Sequence, residues 1–437
     1  MSDNNNISNK ILAVRGMNDI LPPDSTNWEY LERVIIDWLH SYGYMNLRVP
    51  IVEQTRLFER GIGSVTDIVE KEMYSFVDGL NGECLTIRPE ITAGIVRSFI
   101  EHNFAYKRPR RVYSIGPVFR HERPQAGRYR QFNQIDVETI GFNDPDIDAE
   151  LIIMASDLWK KLGISNIRLE LNSIGLLEDR TLYKQELVSF FEKNIDSLDN
   201  VSRNRMYSNP LRILDSKNLE MQSLLSKAPN LFDFLSTSSL NHFEKVCSFL
   251  DKSGVKYNIN NRLVRGLDYY NLTVFEWISS ELGSQGTVCG GGRYDGLIES
   301  LGGKKIPAAG FAIGFERILE IWKKSNIDNN CNNSECDIYI MHDSLKNQLI
   351  SLKTSEQLRN LGFSVILHSG RDNFKRQFKM ADSCGALVAI IFGENEIINN
   401  SVSVKFLNKY QNGICKEQEI VPIEKLASFL KKRLKDD

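Results

Sequence analysis

No regular element can be written across residues 325–336, where the chain reads Ser-Asn-Ile-Asp-Asn-Asn-Cys-Asn-Asn-Ser-Glu-Cys. A polar, low-complexity run of this kind buries almost nothing, so a core cannot be built through it and the chain must fold as separate units on either side. Beyond the break the pattern alternates. A strand at Asp337–Met341 precedes helical spacing at about 344–360, a strand at 363–367, a helix at about 372–382 and a strand at Ala386–Phe392. A hairpin-like pair and a final helix from about 423 follow. This order predicts a small α/β domain over 337–437 behind a linker at 326–336.

The part before the break, 1–325, reads differently. After a polar tail ending near Lys10, Trp28, Leu31, Val34, Ile35, Trp38 and Leu39 recur at helical spacing from about Thr26 to Ser41. Gly43 stops that helix, and Tyr44 to Val49 reads as a strand closed by Pro50. Segments rich in β-formers follow around 73–78, 84–88, 111–119 and 131–140, joined by loops rather than regular βαβ units. That predicts an α+β fold, an antiparallel sheet flanked by helices. From about 175 to 253 the chain turns Leu-, Ser-, Asn- and Lys-rich with helical periodicity, the mark of a helical insertion. β-type sequence resumes at 256–264 and 270–278, then come Gly290, Gly291, Gly292 and Gly296 and an apolar helix from near Ala312.

Composition excludes several classes. The 437 residues carry 54 Lys plus Arg against 56 Asp plus Glu, so bulk charge does not argue for a nucleic-acid partner. The balance is mildly uneven, with 15 basic and 12 acidic residues over 337–437 making that part the more basic. No apolar run is long enough to span a membrane, and the first ten residues lack the apolar core of a secretory signal. Cys84, Cys247, Cys289, Cys331, Cys336, Cys384 and Cys415 are scattered without a Cys-x-x-Cys pair, so neither a disulfide framework nor a metal site is expected and a reducing cytoplasm is.

Five clusters carry possible chemistry. Between two β-type segments at 111–141 a loop holds Arg120, His121, Arg123, Arg128 and Arg130 with one acid, Glu122. Basic side chains on such a loop suit a polyanion, a nucleotide triphosphate or an RNA end. On the return segment, period two puts Phe132, Gln134, Asp136 and Glu138 on one face; by itself this describes a sheet with one wet face. At Thr86-Ile87-Arg88-Pro89-Glu90-Ile91-Thr92 a strand hands over to a helix. Leu263-Val264-Arg265-Gly266-Leu267-Asp268-Tyr269-Tyr270 puts an arginine beside two tyrosines, where a buried guanidinium would need a partner. Gly290-Gly291-Gly292-Arg293-Tyr294-Asp295 fits neither a P-loop nor a dinucleotide fingerprint and reads by itself as close strand packing. Gly310 to Arg317 opens a helix from a glycine-permissive turn.

In this order the clusters resemble the class II aminoacyl-tRNA synthetases. The Phe-Arg-His-Glu-Arg-Pro run around Arg120 is similar to their motif 2, Gly314-Phe315-Glu316-Arg317 to motif 3, and the first helix through Pro50 to motif 1. The runs at 263–270 and 290–295 resemble the signatures of the histidyl-tRNA synthetase family, and the likeness covers about 11–430. A catalytically silent relative of the same fold would be expected to lose these runs, and another class II member, prolyl or threonyl, would lack the one at Arg265.

The resemblance implies roles. Arg120 and Arg265 would be catalytic, flanking the α-phosphate of ATP, with Arg265 stabilising the charge that builds as the histidine carboxylate attacks. Glu122 would lie at the adenine or pyrophosphate end, Phe132 beneath the adenine, and Arg317 over its other face or at the γ-phosphate. Histidine would be held by Glu90, Ile91, Thr92, Gln134, Glu138, Tyr269 and Tyr270 with the two arginines. Many bacterial members carry glycine where this chain has Ile91, whose branched side chain limits close approach of backbone to the amino acid. ATP is implied as co-substrate with Mg2+ on its phosphates and no protein-held metal. The implied partners are histidine, a histidine tRNA read by the 337–437 domain, and a second copy of the chain across motif 1, but neither a membrane nor DNA.

Overall fold

A computed structural model describes residues 11–63, 66–104, 108–124, 127–216, 218–325, 334–370, 372–407 and 418–434. Most of the 326–336 linker lies outside them. The chain divides into two compact units, Met1–Asn329 and Asn330–Asp437.

The first unit is built on an eight-stranded sheet. In spatial order it runs Met45–Asn46, Arg110–Phe119, Gln131–Ile140, Ala308–Gly314, Thr287–Arg293, Asn271–Ser279, Ile167–Ser173 and Asn258–Ile259. The six inner strands are antiparallel, and the two short edge strands run parallel to their neighbours. The sheet is therefore mixed. The segment expected to be a strand from Tyr44 to Val49 pairs only at Met45–Asn46. The helix expected from near Ala312 begins at Phe315, and Ala308–Gly314 is a full strand. A second, three-stranded antiparallel sheet of Val52–Gln54, Cys84–Ile87 and Tyr74–Val77 delivers the chain to the helix Thr92–Glu101.

The helix Asp24–Ser41 buries Leu31, Ile35, Trp38 and Leu39, while its Trp28 stacks on Phe315 with ring centroids 3.9 Å apart. Between the strands Ile167–Ser173 and Asn258–Ile259 the chain is helical, from Leu177–Lys193 to Thr237–Lys252. Tyr183, Leu187, Phe191 and Met206 of this stretch share one apolar core with Ile91 and Ile95 at the helix Thr92–Glu101 and Val274 of the sheet, so it packs as part of the unit.

The second unit is a five-stranded sheet in the order Val365–Leu367, Ile338–His342, Val388–Phe392, Ser401–Phe406 and Gln418–Pro422. The first three strands are parallel and the last two antiparallel. The helices Leu345–Asn360, Phe374–Ser383, Glu394–Ile398 and Ile423–Leu434 complete it. Lys375 and Lys379 are exposed on the helix Phe374–Ser383, and Arg376 pairs with Asp372 at 3.0 Å. Arg371, four residues before Lys375 in the sequence, lies outside the described residues.

Candidate active site

One cleft with about 1080 Å³ of empty space runs over the face of the large sheet. Its most buried part is acidic. Glu90, Asp136 and Glu138 are 3, 1 and 1% exposed. Their partners are hydroxyls and backbone N–H groups at the start of the helix Thr92–Glu101. Ala93 N donates to Glu90 Oε1 at 2.7 Å, placing that carboxylate at the positive end of the helix Thr92–Glu101. The Thr92 hydroxyl donates to Glu138 Oε1 at 2.6 Å and lies 3.3 Å from Asp136 Oδ1, and the Tyr294 hydroxyl donates to Glu138 Oε2. Burial pushes all three acids up, Glu138 to about 8 and Asp136 well above the usual carboxylate range.

The wet face expected for the strand Gln131–Ile140 is thus absent: every residue from Gln134 to Ile140 is buried. The strand is paired along its length with Arg110–Phe119 and from Gln134 onward with Ala308–Gly314, and the start of the helix Thr92–Glu101 and the Tyr294 ring cover its polar face. Gln134 lies along this face with its Oε1 unpartnered, and Tyr269, Tyr270 and Tyr294 form a ring cluster with centroids 4.7–6.3 Å apart.

Glycines make the close approaches possible. A Cβ at Gly310 would fall 1.6 Å from Glu138 Oε2, and one at Gly290 would fall 2.6 Å from both terminal nitrogens of Arg265. Close strand packing, the plain reading of the 290–292 run, is present too, since a Cβ at Gly291 would fall 2.1 Å from the Gly310 carbonyl.

The remainder of the cleft is lined by arginines. Arg120 donates through Nε to Pro89 O at 2.9 Å and lies over the Phe132 ring at 5.3 Å. Arg128 pairs with Glu122 at 2.9 Å. Arg317 donates to Gly127 O at 3.2 Å and to Thr287 O. Arg265 pairs with Glu276, whose other oxygen accepts from the Thr287 hydroxyl at 2.8 Å. Burial works against the Arg265 charge, but Glu276 and the two tyrosines more than offset it and raise its pKa. Among the neighbours, Glu316 accepts from the Asn133 backbone and side chain at 2.9–3.1 Å, tying the helix Phe315–Ser325 to the strand bearing Phe132.

All the residues that the resemblance assigns to histidine or ATP line this cleft except Ile91, whose side chain is fully buried in the apolar core. Sequence reasoning missed Glu276 and gave Tyr294 and Asp136 no task. A lone carboxylate inside the apolar strand Asn271–Ser279 was the available signal for Glu276. The loop that carries Arg265 is also held from the helical stretch: Arg180 donates to Tyr270 O at 2.8 Å, Asn209 to Asp268 at 3.3 Å and Arg212 to Gly266 O at 3.4 Å.

The sequence matches the family described as Histidyl-tRNA synthetase over residues 16–318 and the one described as Anticodon binding domain over 337–433. A histidine–tRNA ligase of Bordetella avium is 56% identical over 424 residues, 97% of this chain and 98% of that one. One of Nitrosomonas eutropha is 53% identical over 420 residues, 96% and 98% of the two chains. A solved structure of S. aureus histidyl-tRNA synthetase superposes with a TM-score of 0.79 at 33% identity, covering 97% of this chain and all of that one.

Proposed function

Since the chain belongs to the histidyl-tRNA synthetase family of class II aminoacyl-tRNA synthetases, we propose that its cleft holds histidine at the buried carboxylate end and ATP along the arginines. The activity is that of a histidine–tRNA ligase: histidine and ATP give histidyl-adenylate and pyrophosphate, and the histidyl group then passes to the 3′ end of its tRNA. The observation that carries the assignment of the two ends is the trio Glu90, Asp136 and Glu138, buried among hydroxyl and backbone N–H partners beside a wall of arginines. Buried acids of that kind favour a ligand bringing N–H groups and positive charge.

In this reading Glu90 receives the α-ammonium and Glu138 an imidazole N–H, with Gln134 and the Tyr269–Tyr270 pair closing the polar contacts. Thr92 acts through Glu138, to which it donates. The histidine carboxylate oxygen attacks the α-phosphorus, the α–β phosphoanhydride bond breaks, and pyrophosphate leaves. Arg120 and Arg265 neutralise the charge that grows on the α-phosphate oxygens. Phe132 and Arg317 sandwich the adenine, and Glu122, steadied by Arg128, takes the neighbouring polar contacts. ATP is the co-substrate, and Mg2+ is assigned to its phosphates.

The 337–437 domain reads the anticodon, behind the 326–336 linker. The chain works as a homodimer in the cytoplasm, and no described helix is long and apolar enough to cross a membrane. Of the two tryptophans of the first helix, Trp28 stacks on Phe315 and Trp38 is buried, so both pack within the chain. Exposed apolar residues on or beside motif 1 include Tyr30, Met45, Ile51 and Val52, 44, 46, 42 and 42% exposed, and these are assigned to the contact. Pyrophosphate exchange driven by each of the twenty amino acids tests the assignment; exchange with histidine alone supports it, and exchange with another amino acid at a comparable kcat/KM overturns it.

A further inference from the structure

The buried end of the cleft contains one carboxylate more than a histidine needs. Glu90 is served by the Ala93 N–H at a helix start and Glu138 by two hydroxyls, but Asp136 has only a long contact to Thr92. Its Oδ2 is buried with no hydrogen-bond partner. Among the groups facing it, Arg88 and the Thr92 hydroxyl favour its charged form, but burial together with Glu138 and Glu90 outweighs them. Across the two strand pairings stand Ser114 and Ala312, and from the helix start come Glu90 and Thr92. The near cation, Arg88, gives its Nε to Pro117 O at 2.9 Å and its Nη1 to Val49 O at 3.1 Å.

Thr92 fixes the outcome, because a hydroxyl has one proton. It lies 2.6 Å from Glu138 Oε1 and 3.3 Å from Asp136 Oδ1. With both acids ionised, whichever oxygen lost that proton would face only lone pairs of the hydroxyl. In the histidine complex, where the imidazole N–H draws Glu138 into its charged form, a proton on Asp136 Oδ1 removes the conflict: Asp136 donates to Thr92, and Thr92 donates to Glu138. Burial beside two other acids pushes the Asp136 carboxyl in the same direction.

We propose that Asp136 is a positioning residue for histidine, acting as a neutral acid that turns the Thr92 hydroxyl proton onto Glu138 and so leaves Glu138 as the charged acceptor of the imidazole N–H. The inference rests on the reading that histidine lies against Glu138. Asparagine then reproduces the working form of Asp136, since its amide donates to the same hydroxyl, whereas leucine fills similar space without a donor.

The test is pyrophosphate exchange with the full chain, together with calorimetric titration of histidine at pH 7 in two buffers of different ionisation enthalpy to count protons exchanged. Asp136→Asn should keep the histidine KM within about threefold and leave the proton count as in the parent. Asp136→Leu should raise the histidine KM about tenfold or more with the ATP KM unchanged. Rescue by asparagine and an unchanged proton count are not expected of a residue that merely packs. If Asp136→Asn raises the histidine KM about tenfold, or shifts the proton count by about one, Asp136 is charged in the complex and the proposal is overturned. That result is reached even where Asp136→Leu fails to fold. Glu138→Gln is the control for the underlying reading: it should raise the histidine KM, and an unchanged value would overturn the placement of histidine and the proposal with it.

Discussion

Removing Arg265 separates chemistry from architecture. Its guanidinium is held by Glu276, lies 5.7 Å from the Tyr270 ring, and has a buried Nε with no hydrogen-bond partner. Side-chain exposures of 16 and 17% put the ion pair out of bulk water, so Arg265→Ala leaves Glu276 with the Thr287 hydroxyl alone. Breaking such a pair costs about 1–3 kcal/mol of stability. The rate effect should be larger. A group that meets charge developing in the transition state is worth about a hundredfold or more, so adenylate formation should slow by at least about that factor. Arg265→Lys should recover little, since an ammonium cannot present the planar fork. Glu276→Gln keeps the guanidinium but loosens its aim, and should slow adenylate formation less than Arg265→Ala does. Rapid-quench single turnovers on folded variants measure adenylate formation, and mixing preformed histidyl-adenylate complex with tRNA measures transfer. If Arg265→Ala slows both steps by the same factor and the loss follows the fall in melting temperature, Arg265 is structural and the reasoning fails.

Other expectations concern pH and assembly. Glu138, pushed up from 4.5 to about 8, binds its proton more tightly folded than unfolded. Its contribution to stability is therefore full below about pH 4.5 and is lost as pH rises towards about 8. The melting temperature of ligand-free Glu138→Gln, relative to the parent, should climb from about pH 5 to about pH 8.5; a constant difference refutes this. Cutting within the 326–336 linker should leave some histidine activation while tRNA charging falls by orders of magnitude, with weaker, more salt-sensitive tRNA binding. A folded truncated dimer that charges at the full rate would overturn the anticodon assignment. Light scattering at micromolar concentration should give about 100 kDa, twice the chain mass, and a fully active 50.0 kDa species would rule out the dimer.

What could be read from the sequence was set by how local the signal was. The strands Arg110–Phe119 and Gln131–Ile140 and the helix Asp24–Ser41 announce themselves through their own periodicity. Ala308–Gly314 does not, because a short apolar run with two glycines fits a buried strand and a helix start equally well, and only pairing on both sides decides. The same limit hid the burial of Asp136 and Glu138, whose cover comes from residues as far away as Tyr294. The candidate site was legible as a set of motifs. Its internal wiring was not: Arg265 meets Glu276 only through the fold of the strand Asn271–Ser279. Ile91 was read with its motif neighbours, yet the turn into the helix sends its side chain into the core.

The two glycine positions under the cleft also restrict how its specificity could be redesigned. Shrinking a binding pocket normally means adding carbon to its floor, and glycines are the obvious places to add it. Here the first added carbon at Gly310 would strike the Glu138 carboxylate, and at Gly290 the Arg265 guanidinium. Each would displace a group assigned to the reaction before it touched the ligand. A narrower chamber for a smaller amino acid has to be sought through Gln134 or the tyrosine cluster, where side chains already stand and can be exchanged. The floor itself admits no decoration.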